Sequence, residues 1–180
     1  REDQACLETM LLGPGIRFLT EAVIAVTGGD LQPKRNRQPI AMWRSTAFKK
    51  DDVLSFGSAI SGFRAYIAVA GGIGVPRVMG SRSTNLSSGF GGHEGRTLKK
   101  EDILVCDEPR GPKIEPGRVF NPEWVPQYAD KWNIRVVPGP QEDHFPDDSR
   151  MSFFQSTYRM SQDSDRTGIR LEGPEIRCKP

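Results

Sequence analysis

The densest cluster of fixed-geometry hydrogen-bond donors in the sequence is Gly80-Ser81-Arg82-Ser83-Thr84-Asn85. Arg82 offers a planar fork suited to a carboxylate or a carbonyl group. Ser83 and Thr84 add hydroxyls, and their backbone N–H groups could close around an anion. The same residues serve equally well as caps of a short helix or turn. A second glycine cluster follows, containing Gly89, Gly91, Gly92 and Gly95. Glycine is needed where the backbone must approach something closely, so Gly91 and Gly92 join the candidate binding residues. His93 beside Glu94 suggests an acid–base pair. Neighbours in a loop need not face each other, and a surface histidine in a glycine turn is the simpler reading. The two histidines, His93 and His144, assemble no Ser/His/Asp grouping. Farther on, Gln141 follows Pro138-Gly139-Pro140 and carries both a donor and an acceptor, which suits an amide or urea-like ligand. Arg166 sits in a last polar turn, Ser164-Asp165-Arg166-Thr167-Gly168, although a hairpin in which Asp165 bonds its own backbone explains that turn slightly better.

Something rigid must present these loops. Phe63 to Ala70 is short, nearly continuous in apolar side chains and bounded by glycine, which predicts a buried strand leading straight into the donor-rich loop. Gly71-Gly72-Ile73-Gly74 after that strand invites a dinucleotide-binding reading. The spacing is wrong, and Pro76 and Arg77 stand where a helix should begin. No phosphate-loop motif is present, so no motif in this chain binds a cofactor. Other predicted strands are 16–19, 22–26, 42–48, 53–56, 132–137 and 169–172. A hairpin is expected over 31–40 with a polar tip at 34–38. Residues 141–150 read as a loop or first helical turn, and 151–160 fit helix or strand. Phe48-Lys49-Lys50-Asp51-Asp52-Val53-Leu54-Ser55-Phe56 is echoed by Leu98-Lys99-Lys100-Glu101-Asp102-Ile103-Leu104-Val105-Cys106. Two strands that begin after the same kind of charged turn explain the echo better than a duplicated unit.

Composition narrows the class. The chain has 180 residues and a net charge of +2, with lysine and arginine scattered. That gives no basic face for nucleic acid. The basic run Lys34-Arg35-Asn36-Arg37 reads as a solvated hairpin tip. No apolar run approaches the ~20 residues that span a bilayer. Cys6, Cys106 and Cys178 are odd in number and far apart, which fits reduced cytoplasmic thiols, and no pair has metal-ligand spacing. With 19 glycines and 14 prolines among short apolar runs, a mainly β fold is expected. The proline-rich stretch 107–131 reads as an extended linker. It separates a first β subdomain, 1–106, from part of a second, 132–180.

The pattern as a whole resembles the KipA-like family, which includes allophanate hydrolase subunit 2 and the C subunit of 5-oxoprolinase. The same domain forms the A and B part of the carboxyltransferase in urea carboxylase. The residues that carry the resemblance are Thr27-Gly28-Gly29-Asp30, the run Gly62 to Ile73, Gly80 to Thr84, Gly89 to Gly92 with Gly95-Arg96, Pro138 to Gln141, and Ser164 to Pro174. Family members carry further segments before and after the stretch matched here. The resemblance implies cyclophilin-like β-barrels in two subdomains. It also implies two partners, a KipI-like protein (the B subunit of 5-oxoprolinase) and the A subunit of the same enzyme. The leading chemistry it implies is ATP-dependent opening of 5-oxoproline to glutamate within a multi-subunit complex. The alternatives are carboxyl transfer from carboxybiotin to urea or a related amide, and a non-catalytic module that binds a KipI-like protein. Arg82, Ser83 and Thr84 could supply donors for a developing oxyanion. No carboxylate stands out as a base.

Overall fold

In a computed structural model, residues 3–108, 114–129, 131–165 and 168–179 are described. The chain divides into two compact units, Arg1–Lys131 and Trp132–Pro180.

The first unit is built from antiparallel strands. β1 (Leu7–Met10), β3 (Ala22–Asp30), β6 (Thr46–Phe48) and β8 (Ser61–Val69) form one sheet in the order β1-β8-β3-β6. β2 (Ile16–Arg17), β4 (Lys34–Arg35), β5 (Gln38–Pro39) and β7 (Val53–Ser55) form the other, in the order β2-β7-β4-β5. The mainly β expectation holds. Strand alternation explains the core, because successive side chains point to opposite faces. Ile24 and Val26 of β3, Ala65 and Ile67 of β8, Phe48 of β6 and Leu54 of β7 all turn inward and are buried together with Leu31. Phe18 stacks on Phe48 at 4.5 Å between ring centroids. Burying each such large side chain contributes about 1.5–3 kcal/mol.

Two expectations change in detail. The strand ending at Val69 is fully buried on one face only, since Ala65 and Ile67 are buried while Arg64 and Tyr66 are half-buried and Ala68 is exposed. Its apolar run therefore overstated its burial. The predicted hairpin is present, and Asn36 and Arg37 take its turn with φ of 50° and 71°. That is the left-handed pair which two-residue hairpins demand.

Residues 107–131 were expected to be an extended linker, yet their described part lies along the first unit. Ser45 anchors them through both backbone groups and its hydroxyl. It donates N–H to the Arg118 carbonyl at 2.9 Å and accepts from Gly117 at 2.7 Å. Its hydroxyl accepts from Arg118 N–H at 2.9 Å and donates to the Glu115 carbonyl at 3.0 Å. Phe120 N–H bonds the Trp43 carbonyl at 2.9 Å, and the Phe120 ring packs on Trp43. A short 3-10 turn, Pro122–Trp124, is capped by the Asn121 side chain.

Among its described residues the second unit holds one α-helix, α1 (Asp147–Gln155), and an antiparallel strand pair, β9 (Arg159–Met160) with β10 (Leu171–Glu172). The predicted strand 132–137 does not form. No described residue pairs with it, and Trp132, Ile134 and Val136 are exposed. Alternation alone makes no strand without a neighbouring ladder to satisfy its backbone. Among the described residues no helix is long and apolar enough to cross a membrane.

Candidate functional site

The loop that follows β8 is folded by its own backbone. Met79 and Gly80, with φ of 50° and 80°, make a tight turn closed by Val78 N–H to the Ser81 carbonyl at 2.8 Å and the reverse bond at 3.0 Å. A second turn is closed between Asn85 and Phe90, and the Asn85 side chain caps it by accepting from Ser88 N–H. The glycine cluster then packs under Ser83 and Thr84. A Cβ on Gly92 would lie 1.9 Å from Thr84 Oγ1, and one on Gly91 would lie 2.4 Å from the Ser83 carbonyl oxygen. The structure thus brings Ser83, Thr84, Gly91 and Gly92 together. It gives the two glycines a packing reason to lack side chains.

Arg82 is committed within the chain. Its guanidinium donates to the Val75 carbonyl and lies 3.7 Å from Asp107. Arg96 makes a two-pronged contact with Asp102 at 2.7 and 3.0 Å, and its Nε and Nη2 also meet Glu94 Oε2. The fork raises the Arg96 pKa and, with Lys99 N–H, holds the Asp102 carboxyl well below the usual range. His93 faces Asp102 at 3.8 Å, so the suspected pairing of His93 with Glu94 does not form. Gln141 lies in the second unit, exposed, before the 3-10 turn Glu142–His144. Arg166 lies outside the described residues. Among the described residues no cluster of His, Cys, Asp and Glu could hold a metal.

The echoed segments make the same turn twice. Asp52 Oδ2 accepts from Lys49 N–H at 2.9 Å with Asp51 at φ 70°, and Asp102 Oδ2 accepts from Lys99 N–H at 2.7 Å with Glu101 at φ 74°.

A cavity of about 440 Å³ opens elsewhere in the first unit, beside the end of β3 and the start of β8. Their register shifts at a bulge between Gly28 and Asp30. Bulges re-aim side chains beside functional sites. The backbones approach so closely here that a Cβ on Gly29 would lie 2.9 Å from the Ser61 carbonyl oxygen. Asp30, Gln32, Lys34, Trp43, Ser61 and Tyr128 are among the lining residues. Gln32 and Trp43 hold left-handed backbone, φ 51° and 58°. Such conformations are strained for side-chain-bearing residues and concentrate at functional sites.

A model of the family described as "Carboxyltransferase domain, subdomain A and B" matches residues 1–180. The chain belongs to this family. Urea amidolyase of Lachancea kluyveri is 36% identical over 179 residues, which cover 94% of this chain and 10% of that protein. The C subunit of 5-oxoprolinase from Escherichia coli is 34% identical over 158 residues, covering 88% of this chain and 49% of that protein. The crystal structure of Kluyveromyces lactis urea amidolyase superposes with a TM-score of 0.85 at 34% identity, over 97% of this chain and 11% of that one. The chain therefore spans about a tenth of the longer relatives and about half of the shorter.

Within this carboxyltransferase domain, reading the residues for chemistry missed the cavity. Thr27-Gly28-Gly29-Asp30 entered only through the family resemblance. A signal was available: paired glycines inside a strand pattern mark a bulge or a close backbone approach.

Proposed function

We propose that this chain is part of a biotin-dependent carboxyltransferase acting on urea or a related small amide. The observation that carries the reading is the likeness to urea amidolyase, at a TM-score of 0.85 over 97% of the chain. The resemblance in the sequence put ATP-dependent opening of 5-oxoproline first. The 34% identity to the 5-oxoprolinase C subunit keeps that as the second reading, with a KipI-like protein (the B subunit) and the A subunit as partners. Both reactions need donors for a developing oxyanion and a base near an amide nitrogen. Ser83 and Thr84, supported by Gly91 and Gly92, present their hydroxyls on one compact loop, and the Ser83 N–H is already given to Ser81 Oγ at 3.1 Å. Arg82 shapes that loop from behind. Gln141 and Arg166, in the second unit, are further proposed binding residues.

Carboxybiotin would bring the carboxyl group to be transferred. Arg82 and Arg96 do not fit ATP, because both are already engaged with Asp107, Asp102 and Glu94.

The test uses the full-length protein. Urea-dependent consumption of carboxybiotin supports the first reading. Glutamate release from 5-oxoproline with ATP and both partner proteins, without urea turnover, moves the assignment to the second. Tight binding of a KipI-like protein with neither turnover refutes both and leaves a regulatory module.

A further inference from the structure

We propose that residues 114–129 form a strap that gates the cavity at the Gly28–Asp30 bulge, lifting off Trp43 as one piece when its latch on Ser45 is released. The gate stands on geometry and is independent of the amide-substrate reading above.

The strap is held at one place. Ser45 N–H donates to the Arg118 carbonyl, the Ser45 carbonyl accepts from Gly117 N–H, and Phe120 N–H meets the Trp43 carbonyl. These bonds bracket an isolated bridge between Arg44 and Val119. The Ser45 hydroxyl clasps the strap twice more, donating to the Glu115 carbonyl and accepting from Arg118 N–H. Farther along the grip is aromatic: Phe120 packs on Trp43 at 5.4 Å, and Trp124 packs on Phe120 at 6.3 Å. Almost none of the strap is buried. Ile114 and Val125 are half-buried, and every other residue from 115 to 129 is exposed. A segment with exposed hydrogen bonds and little buried apolar surface opens at a free energy well below that of the whole fold. The strands beneath have their own support. Trp43 N–H bonds the Val26 carbonyl at 2.8 Å, and Val26 lies in the core. The strap can therefore leave without unmaking the sheet.

Its departure uncovers the cavity. Val125, Pro126 and Tyr128 of the strap supply one wall, and the other lining residues belong to β3, the hairpin, the 39–43 stretch and the start of β8. The Tyr128 ring closes that wall against Gly62, where a Cβ would lie 3.3 Å from its Cδ2. Trp43 lines the cavity and also seats Phe120, so the strap and the cavity share one surface. Lifting the strap turns a walled cavity into an open groove. Gly117 sets the fit of the latch, lying between the two residues that the Ser45 hydroxyl holds. Its φ of 92° is left-handed, and a Cβ there would meet only Arg44 Nη2, at 3.7 Å. Glycine is needed for its backbone conformation, not for room.

Hydrogen exchange and hydroxyl-radical footprinting of the full-length protein test the gate. The amides of Ser45, Gly117 and Phe120 should share one protection factor, well below that of Trp43 N–H. Ser45→Ala deletes both hydroxyl bonds and should lower the shared factor about ten-fold. Gly117→Ala should lower it too, because alanine resists the left-handed backbone. Trp43 N–H should keep its protection in both variants. Radical oxidation of the Trp43 ring should rise in both, while that of exposed Trp124 stays the same. A lock gives the converse. Arg44 and Val119 face each other as a pair without direct hydrogen bonds, the kind whose Cα atoms stand about 4.5 Å apart and suit a disulfide. Arg44→Cys combined with Val119→Cys should cut Trp43 oxidation when oxidised and restore it on reduction, with peptide mapping to separate the new bond from Cys6, Cys106 and Cys178. Strap amides that exchange independently, or Trp43 oxidation unmoved by latch and lock alike, overturn the gate. Loss of protection that extends to Trp43 N–H also overturns it, because the strap would then open only with the sheet.

Discussion

Replacing Arg82 by alanine separates a brace from a substrate contact. The guanidinium donates to the Val75 carbonyl and lies 3.7 Å from Asp107. A charged donor on a backbone carbonyl contributes about 1.5–3 kcal/mol. The partly exposed pair with Asp107 adds about 0–1 kcal/mol, since solvent screens it. Losing both should ease local opening of the loop base by about 2 kcal/mol, which is about thirty-fold in equilibrium constant.

Amide hydrogen exchange on the full-length protein reads this directly. The reporters are Gly74 N–H, bonded to the Val105 carbonyl at 2.8 Å, and Asp107 N–H, bonded to the Gly72 carbonyl at 3.0 Å. Both should exchange about thirty-fold faster in Arg82→Ala, while Trp43 N–H on the Val26 carbonyl should not change. Arg82→Lys should fall between, because an ammonium can reach one partner but lacks the fork. Unchanged exchange at Gly74 and Asp107, combined with a large loss of amide turnover, would refute the brace and restore Arg82 as a substrate donor.

Gly92→Ala forces a Cβ to within 1.9 Å of Thr84 Oγ1 at a φ of +52°, so it should cost more than about 1 kcal/mol in urea unfolding, and Thr84→Ala in the same chain should recover part of that. Phe48→Ala opens the centre of the first unit, where the ring is 1% exposed, and should cost about 3–5 kcal/mol by the same measurement. Asp102 has its carboxyl pKa depressed by Arg96, so the stability it lends is present above the ordinary carboxylate value and lost as pH falls through its folded value. Melting temperature in the wild type should therefore decline below about pH 4, and Asp102→Asn should show a lower neutral plateau and a flatter acid limb.

Much of the first unit was legible because local rules and packing agreed. Ala22 to Val26 is an unbroken apolar run and lies in β3, although the strand continues through Gly28-Gly29 to Asp30, where it was expected to stop. Asn36 and Arg37 sit where a two-residue turn needs left-handed backbone. The strand predicted over 132–137 fails because alternation says nothing about which ladder will be adjacent. The cavity was illegible for a different reason. Its lining comes from β3, the hairpin, the Met42-Trp43 turn, the start of β8 and the stretch near Tyr128. Only the β3–β8 register and the return of Phe120 onto Trp43 bring these together. No window of sequence contains that information. In the loop the donors are visible in the sequence, but Val75 and Asp107 reach Arg82 only through the fold.

Charge pairing now divides the two candidate surfaces. In the loop the forks of Arg82 and Arg96 have internal acceptors, and Asp102 is tied to its own turn by Lys99 N–H. Those charges fix shape, and an incoming ligand would have to compete with them. The hydroxyls and amides that remain are neutral, directional donors, which suit an oxyanion that develops during reaction more than a ground-state anion. At the bulge the position is reversed, for Lys34 and Asp30 line one cavity without pairing. Half-buried charges left apart cost desolvation that neither recovers from the other. A bound ligand that meets both recovers it. Substitutions at Ser83 and Thr84 should then act mainly on kcat.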